Sequence, residues 1–203
     1  MDGITKSPLS SRMNFPTIYL ASGSPRRREL LQQIAVNFAV LSVEVDEQRF
    51  ENEPPIDYVK RVAIAKAQAG WNSIAISEQK PVLGSDTSVV LNGDVLGKPK
   101  NNVDARRMLQ QLSSKEHQVM TAVAIVDGDK VLCELNISTV KFTTLTEKDI
   151  DWYLSTKEGV DKAGGYAVQG LAALFIENIT GSYSAIMGLP IRETGLLLAQ
   201  LTE

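Results

Sequence analysis

Apolar positions along the chain come in short runs set between longer stretches of helical spacing, and the alternation predicts strands and helices in turn. Thr17 to Ala21 is a short apolar strand, followed by Ser22-Gly23-Ser24-Pro25. Ser24 stands where a residue caps a helix, and Pro25 suits the first turn. That helix runs through Leu30, Leu31 and Ile34, and Asn37 to Val45 returns as a β-rich segment. After Glu53-Pro54-Pro55 a long helix places Val59, Val62, Ala63 and Ala67 on one stripe. Pro81 to Leu91 is expected as two strand stretches interrupted at Gly84-Ser85-Asp86-Thr87. Asn92-Gly93 is a hairpin-turn signal ahead of Val95 and Leu96, and a helix follows from Val103 to Leu112.

Gln118 to Leu145 alternates β-branched and polar residues around Asp127-Gly128-Asp129, which predicts a long hairpin with one wet face. Thr146 and Asp149 form a capping pair ahead of Ile150, Tyr153 and Leu154. Gly159 to Gly170 is loop, Leu171 to Ile179 a final strand, and Gly188-Leu189-Pro190 divides the last segment into two helical pieces. Parallel-type crossovers mixed with long hairpins give an α/β expectation: a mixed sheet with flanking helices and a cleft between two intimate lobes. Residues 1–16 are expected as a disordered tail and 17–203 as a single domain.

Composition narrows the chemistry. The chain has 203 residues and a formal net charge of −3, so no basic nucleic-acid footprint is present and an anionic ligand needs local positive charge. Cys133 is the only cysteine and His117 the only histidine, which excludes a disulfide framework and paired Cys or His metal motifs. Cys133 is expected as a small buried hydrophobe and His117 as a structural hydrogen-bonding residue. No apolar run reaches the roughly 18 residues of a membrane span, and residues 1–16 lack a signal-peptide core. The single cysteine suits a reducing cytosol, so a cytoplasmic protein is expected.

Several charges stand where the pattern does not favour them. Arg26, Arg27 and Arg28 open a helix, where cations oppose the dipole unless an anion intervenes. The strand-to-helix turn aims backbone N–H groups at one point, so phosphate is a natural occupant. Helical spacing turns Arg26 and Arg27 toward the buried face and Arg28 to solvent. The ordinary alternative is a solvated basic helix start. Lys66 projects from the apolar stripe of its helix, as a snorkelling lysine does or as a functional one would. Asp86 interrupts an apolar segment, so it either needs a cation, a metal or donors, or sits in an Asx-turn. Glu47 beyond a strand end and Lys98 in Leu96-Gly97-Lys98-Pro99 are weaker signals. Carboxylates and cations at the ends of core elements suit metal-assisted hydrolysis of a phosphate ester: carboxylates for Mg²⁺ or Mn²⁺, Arg and Lys for phosphates, one carboxylate for a proton from water.

Ordered blocks then carry a family resemblance: Ser22-Gly23-Ser24-Pro25-Arg26-Arg27, Val45-Asp46-Glu47, Tyr58-Val59-Lys60-Arg61 with Lys66-Ala67, Leu83-Gly84-Ser85-Asp86-Thr87 and Leu96-Gly97-Lys98-Pro99. Further on stand His117-Gln118-Val119 with Thr121, Lys162-Ala163-Gly164-Gly165-Tyr166 with Gln169-Gly170, and Gly181-Ser182-Tyr183 with Gly188-Leu189-Pro190. From about Ile18 onward the chain resembles the Maf family. The resemblance implies nucleoside triphosphate pyrophosphatase activity with a divalent cation (Mg²⁺ or Mn²⁺), a two-lobed fold related to inosine triphosphatases, and a homodimer. It makes Asp86 the proton acceptor or metal-proximal acid and Glu47 its partner in the metal site. Arg26, Arg27, Lys66 and Lys98 become phosphate ligands and charge stabilisers, beside Ser22 and Ser24 of the anion turn.

Arg26, Thr87 and Gln169 together resemble the branch that prefers dTTP, UTP and modified uridine triphosphates, since a Gln amide offers a donor and an acceptor to the uracil or thymine edge. The other branch prefers 7-methyl-GTP. A house-cleaning hydrolase is one outcome; a nucleotide-binding regulator of septum formation is the alternative. Ser85, where many relatives carry Ala, departs from the family and has a hydroxyl able to donate to a carboxylate.

Overall fold

The computed structural model describes residues 15–201. Most of the expected tail, residues 1–14, lies outside the described residues; Phe15 packs against the core beside the first strand.

Among these residues seven strands form one mixed sheet: β1 (Ile18–Leu20), β2 (Phe38–Val40), β3 (Val82–Leu91), β4 (Asp94–Leu96), β5 (Glu116–Asp127), β6 (Lys130–Phe142) and β7 (Ile176–Thr180). Their order is β2-β1-β3-β5-β6-β7, with β4 paired to β3. β1 runs parallel to β2 and β3, and the remaining pairs are antiparallel. Among the described residues six helices flank the sheet: α1 (Pro25–Gln33), α2 (Pro55–Asn72), α3 (Asn102–Leu112), α4 (Glu147–Thr156), α5 (Tyr183–Met187) and α6 (Ile191–Ala199).

The pleat of β5 shows how the layers are built. Its alternate residues Met120, Ala122, Ala124 and Val126 pack under Val59, Ala63 and Ala67 of α2. Val123 and Ile125 point the other way, onto Leu30 and Leu31 of α1 and Leu189, Leu197 and Leu198 at the α5–α6 end. Val119, nearer the start of β5, joins a third cluster with Leu109 and Leu112 of α3, Ile150 and Tyr153 of α4, and Phe142. One face of the sheet thus carries α2, while the other is divided between the α1/α5/α6 group and the α3/α4 group. Met187 packs against both groups.

Four expected elements change. Pro81 to Leu91 is one continuous strand from Val82, with Gly84 to Thr87 inside it and no turn. Polar residues there face helices and cleft, so they do not break the pairing with β5. The β-rich Asn37 to Val45 contracts to three residues at the sheet edge. The long hairpin is wet on β6 only, because β5 is covered on both faces. Leu171 to Phe175 winds as a 3-10 turn before β7 begins at Ile176. The Asn92-Gly93 turn forms with both residues at positive φ (52° and 86°), as a tight hairpin of this handedness requires. Thr146 and Asp149 make the expected capping box.

Candidate active site

β1 and β4 both pair with the same edge of β3, but not along its whole length. β1 leaves after Leu83, and β4 joins at Val89. Between these points Asp86, Thr87 and Ser88 floor a cleft of about 570 Å³. Its walls are the β1–α1 turn, Glu47, the Gly97-Lys98 loop, the loop of residues 161–169 and Gly188. All ten expected site residues line it: Ser22, Ser24, Arg26, Arg27, Glu47, Lys66, Asp86, Thr87, Lys98 and Gln169.

Alternation along β3 sorts the chemistry into two directions. Gly84 and Asp86 face α2, where a Cβ at Gly84 would lie 2.6 Å from the Ala67 amide nitrogen and would collide with the Ala63 carbonyl. That close approach brings Lys66 of α2 to Asp86: Nζ donates to Oδ1 at 2.8 Å and meets Glu47 Oε1 at 2.9 Å. The Lys66 side chain is 12% exposed, so its ammonium joins two carboxylates and does not snorkel to bulk water. Asp86 stands in extended strand, which removes the Asx-turn alternative. Oδ2 takes no hydrogen bond among the described residues.

Burial pushes the Glu47 carboxyl up, but the hydrogen bond and charge of Lys66, with Lys98 and Arg27 behind, hold it below the ordinary Glu value. Glu47 is anchored from α2: its carbonyl accepts from the Tyr58 hydroxyl at 2.9 Å. Arg61, one turn further on, pairs with Glu53 at 2.6 Å and donates to the Gln48 carbonyl at 3.0 Å, while its guanidinium stacks 4.0 Å over the Phe50 ring.

Ser85 and Thr87 face the opposite way. Ser85 donates to backbone carbonyls, 2.8 Å from Ala122 and 3.0 Å from Gly188, and not to a carboxylate as its position had suggested. The Thr87 hydroxyl lies 3.0 Å from that of Thr121, which is 2.7 Å from the Ala185 carbonyl.

Arg27 is fixed at the end of the β1–α1 turn. Nε donates to the Gly188 carbonyl at 2.8 Å, and Nη1 donates to Ser22 Oγ at 3.0 Å. Desolvation lowers the pKa of its guanidinium, against the pull of Asp86 and Glu47. Ser22 Oγ also accepts from the Ser24 N–H at 3.2 Å, whereas Ser24, the N-cap by position, makes no side-chain cap bond. The first-turn amides of α1 therefore keep no side-chain acceptor from their own cap, and they open on the cleft with Arg26. Arg28 is exposed, as its spacing predicts.

Tyr58, Asp161, Lys162 and Tyr166 also line the cleft, with no expected role. Tyr58 touches Glu47, and Asp161 and Lys162 pair with each other in the far wall. Tyr166 lines the same wall and bonds His117 Nε2 at 2.7 Å beneath it. Lys162 and Tyr166 stood in the glycine-rich block, the one signal that could have marked them. His117 is structural: its ring sits edge-on to Phe142 and Tyr166, and burial lowers its pKa to about 4. Cys133 is only partly buried, on β6, and desolvation raises its thiol pKa. No helix among the described residues is long and apolar enough to cross a membrane.

Residues 17–201, which include the whole cleft, match the family described as Maf-like protein. The chain belongs to the Maf family. This Maf chain is 50% identical over 185 residues to the dTTP/UTP pyrophosphatase of Aliivibrio fischeri, covering 90% of this chain and 97% of that protein. It is 50% identical over 186 residues to the dTTP/UTP pyrophosphatase of Pseudoalteromonas atlantica, covering 91% and 97%. To that of Chromobacterium violaceum it is 43% identical over 189 residues, covering 92% and 96%. Among solved structures, the Staphylococcus aureus Ham1 protein aligns with a TM-score of 0.44 and 16% identity, over 63% of this chain and 72% of that one.

Proposed function

We propose that this Maf chain hydrolyses dTTP and UTP to the nucleoside monophosphate and pyrophosphate. The observation that carries the proposal is the convergence of Asp86, Glu47 and Lys66 on the cleft floor, facing the arginine turn, in a chain about half identical to dTTP/UTP pyrophosphatases. In this reading the triphosphate lies along the cleft, with its phosphates on Arg26, Arg27, Lys98 and the α1 amides beside Ser22 and Ser24. Water attacks the α-phosphorus and the bond to the bridging oxygen of the β-phosphate breaks, so pyrophosphate leaves with the bonding pair. Asp86 accepts the proton of the attacking water. Lys66 holds Oδ1 of Asp86, which orients the second oxygen as the base.

A divalent cation fits the donor set. Asp86 and Glu47 present two carboxylates that already converge on one cation, the Lys66 ammonium, within 2.9 Å. Mg²⁺ and Mn²⁺ are commonly held by one or two carboxylates together with substrate phosphates and water, so two acids suffice. Such an ion, held by Asp86 and Glu47, would supply charge neutralisation at the phosphates and a more acidic water.

Base choice is assigned to Gln169, Thr87 and Arg26. Gln169 is exposed on the cleft wall, where its amide can pair with the donor and acceptor edge of uracil or thymine; the cytosine edge reverses donor and acceptor, so it is rejected when the amide is held in one orientation. The homodimer implied by the family resemblance and the cytoplasmic setting expected from the sequence belong to the same proposal. The test is a panel of dTTP, UTP, CTP and 7-methyl-GTP with Mg²⁺ or Mn²⁺, scored for monophosphate and pyrophosphate. Turnover of dTTP and UTP above the others supports the proposal. Preference for 7-methyl-GTP, or tight nucleotide binding with no product, overturns it in favour of the other branch or of a regulatory binder.

A further inference from the structure

The loop that carries Gln169 leaves α4 at residue 157 and returns in the 3-10 turn at Leu171, and one acidic side chain joins its two ends. Glu158 Oε2 accepts the Leu171 N–H at 2.8 Å, and Oε1 accepts the Ala172 N–H at 3.3 Å. The buried Tyr153 hydroxyl donates to the same Oε1 at 3.0 Å. These contacts satisfy the first amides of the 3-10 turn and explain why Leu171 to Phe175 does not continue as strand.

Gly170 is what lets the carboxylate in. A Cβ there would collide with the Glu158 carboxyl group, although the backbone of Gly170 (φ −108°) suits any residue. Inside the closed loop, a Cβ at Gly159 would collide with the Gly165 carbonyl, and Tyr166 is held from below by His117 at 2.7 Å. The Gly164 N–H bonds the Gly97 carbonyl at 3.0 Å, which ties the loop to the segment bearing Lys98. Gln169 lies next to Gly170, one residue from the clamp.

We infer that Glu158 is a positioning residue for base selection: by bridging Tyr153 to the amides of Leu171 and Ala172, it holds the loop closed with Gln169 at the cleft wall. The inference rests on the assignment of base reading to Gln169. Glu158 does not line the cleft, so its effect passes through the loop backbone. A looser loop places the Gln169 amide less accurately, and the penalty falls on the base that matched it and not on the phosphate chemistry at Asp86.

The experiment measures kcat and KM for UTP and CTP in the full chain with Glu158→Ala, Glu158→Gln, Gly170→Ala and Gln169→Ala. Glu158→Ala is expected to lower the UTP-to-CTP ratio of kcat/KM by about fivefold or more, through the KM for UTP, with kcat for UTP changed by less than about threefold. Glu158→Gln keeps one acceptor oxygen, for either the Leu171 or the Ala172 N–H, and is expected to give a ratio between those of the wild type and Glu158→Ala. Gly170→Ala displaces the carboxylate without removing it and is expected to match Glu158→Ala; it decides the matter alone if Glu158→Ala does not fold. An unchanged ratio in Glu158→Ala and Gly170→Ala, beside a lowered one in Gln169→Ala, overturns the clamp and leaves the proposed function standing. An unchanged ratio in Gln169→Ala overturns the base-reading assignment and the clamp with it.

Discussion

Lys66 of α2 and Asp86 of β3, twenty residues apart in the chain, share a hydrogen bond of 2.8 Å at the floor of the cleft. The pair exists because α2 lies unusually close to β3. Gly84, two residues before Asp86 and on the same face of the strand, has no side chain to hold the helix away.

Gly84→Ala is therefore expected to be costly. Its Cβ meets backbone atoms of Ala63 and Ala67, which cannot swing aside, and overpacking of this kind costs about 1–3 kcal/mol. Denaturant unfolding should show that loss, and activity should fall with it as Lys66 moves off Asp86. Wild-type stability and turnover together would contradict the packing argument.

Lys66→Met keeps the apolar stem and removes the cation that two carboxylates share. An unpaired acid in this enclosed corner is expected to cost about 1–3 kcal/mol of stability. Glu47, now held low chiefly through Lys66, should titrate upward once burial is its main influence. Carboxyl NMR titration of the wild type and variant checks the second point; an unmoved Glu47 pKa would contradict it.

His117 gives a pH dependence. Its folded pKa of about 4 lies below the ordinary 6.5, so between these values the unfolded chain binds more protons than the folded one. Stability from this group is complete above pH 6.5 and is lost as pH falls toward 4. From pH 7 to pH 5 the loss should be about 2 kcal/mol. Urea unfolding at several pH values measures it, and His117→Gln should flatten the slope. An equal slope in the variant would assign the effect elsewhere.

How far these relationships can be seen in the sequence depends on distance along the chain. The α2 stripe of Val59, Val62, Ala63 and Ala67 is legible because helical periodicity is local, and all four are fully buried. The anomaly of Asp86 is legible too, as polarity in an apolar run. Its strand is not: Gly84 and Asp86 carry the signature of a turn, yet pairing with Gly84↔Ala124 and Asp86↔Ala122 of β5 overrides that preference. Arg27 and Lys66 stand out as misplaced charges, but their partners, Gly188 and Glu47, lie in other elements. Glu158 carries no local sign at all. A glutamate after a helix is ordinary, and only the fold brings Leu171 and Ala172 to it.

Whether Asp86 takes the proton in phosphoanhydride hydrolysis is decided by pairing turnover with binding in Asp86→Asn. Product release from dTTP is followed by chromatography, and nucleotide affinity by calorimetry with Mg²⁺ present. The expected result is a fall in kcat of roughly 10²-fold or more, with dTTP affinity within about tenfold of wild type. Wild-type turnover in the Asn variant would contradict it.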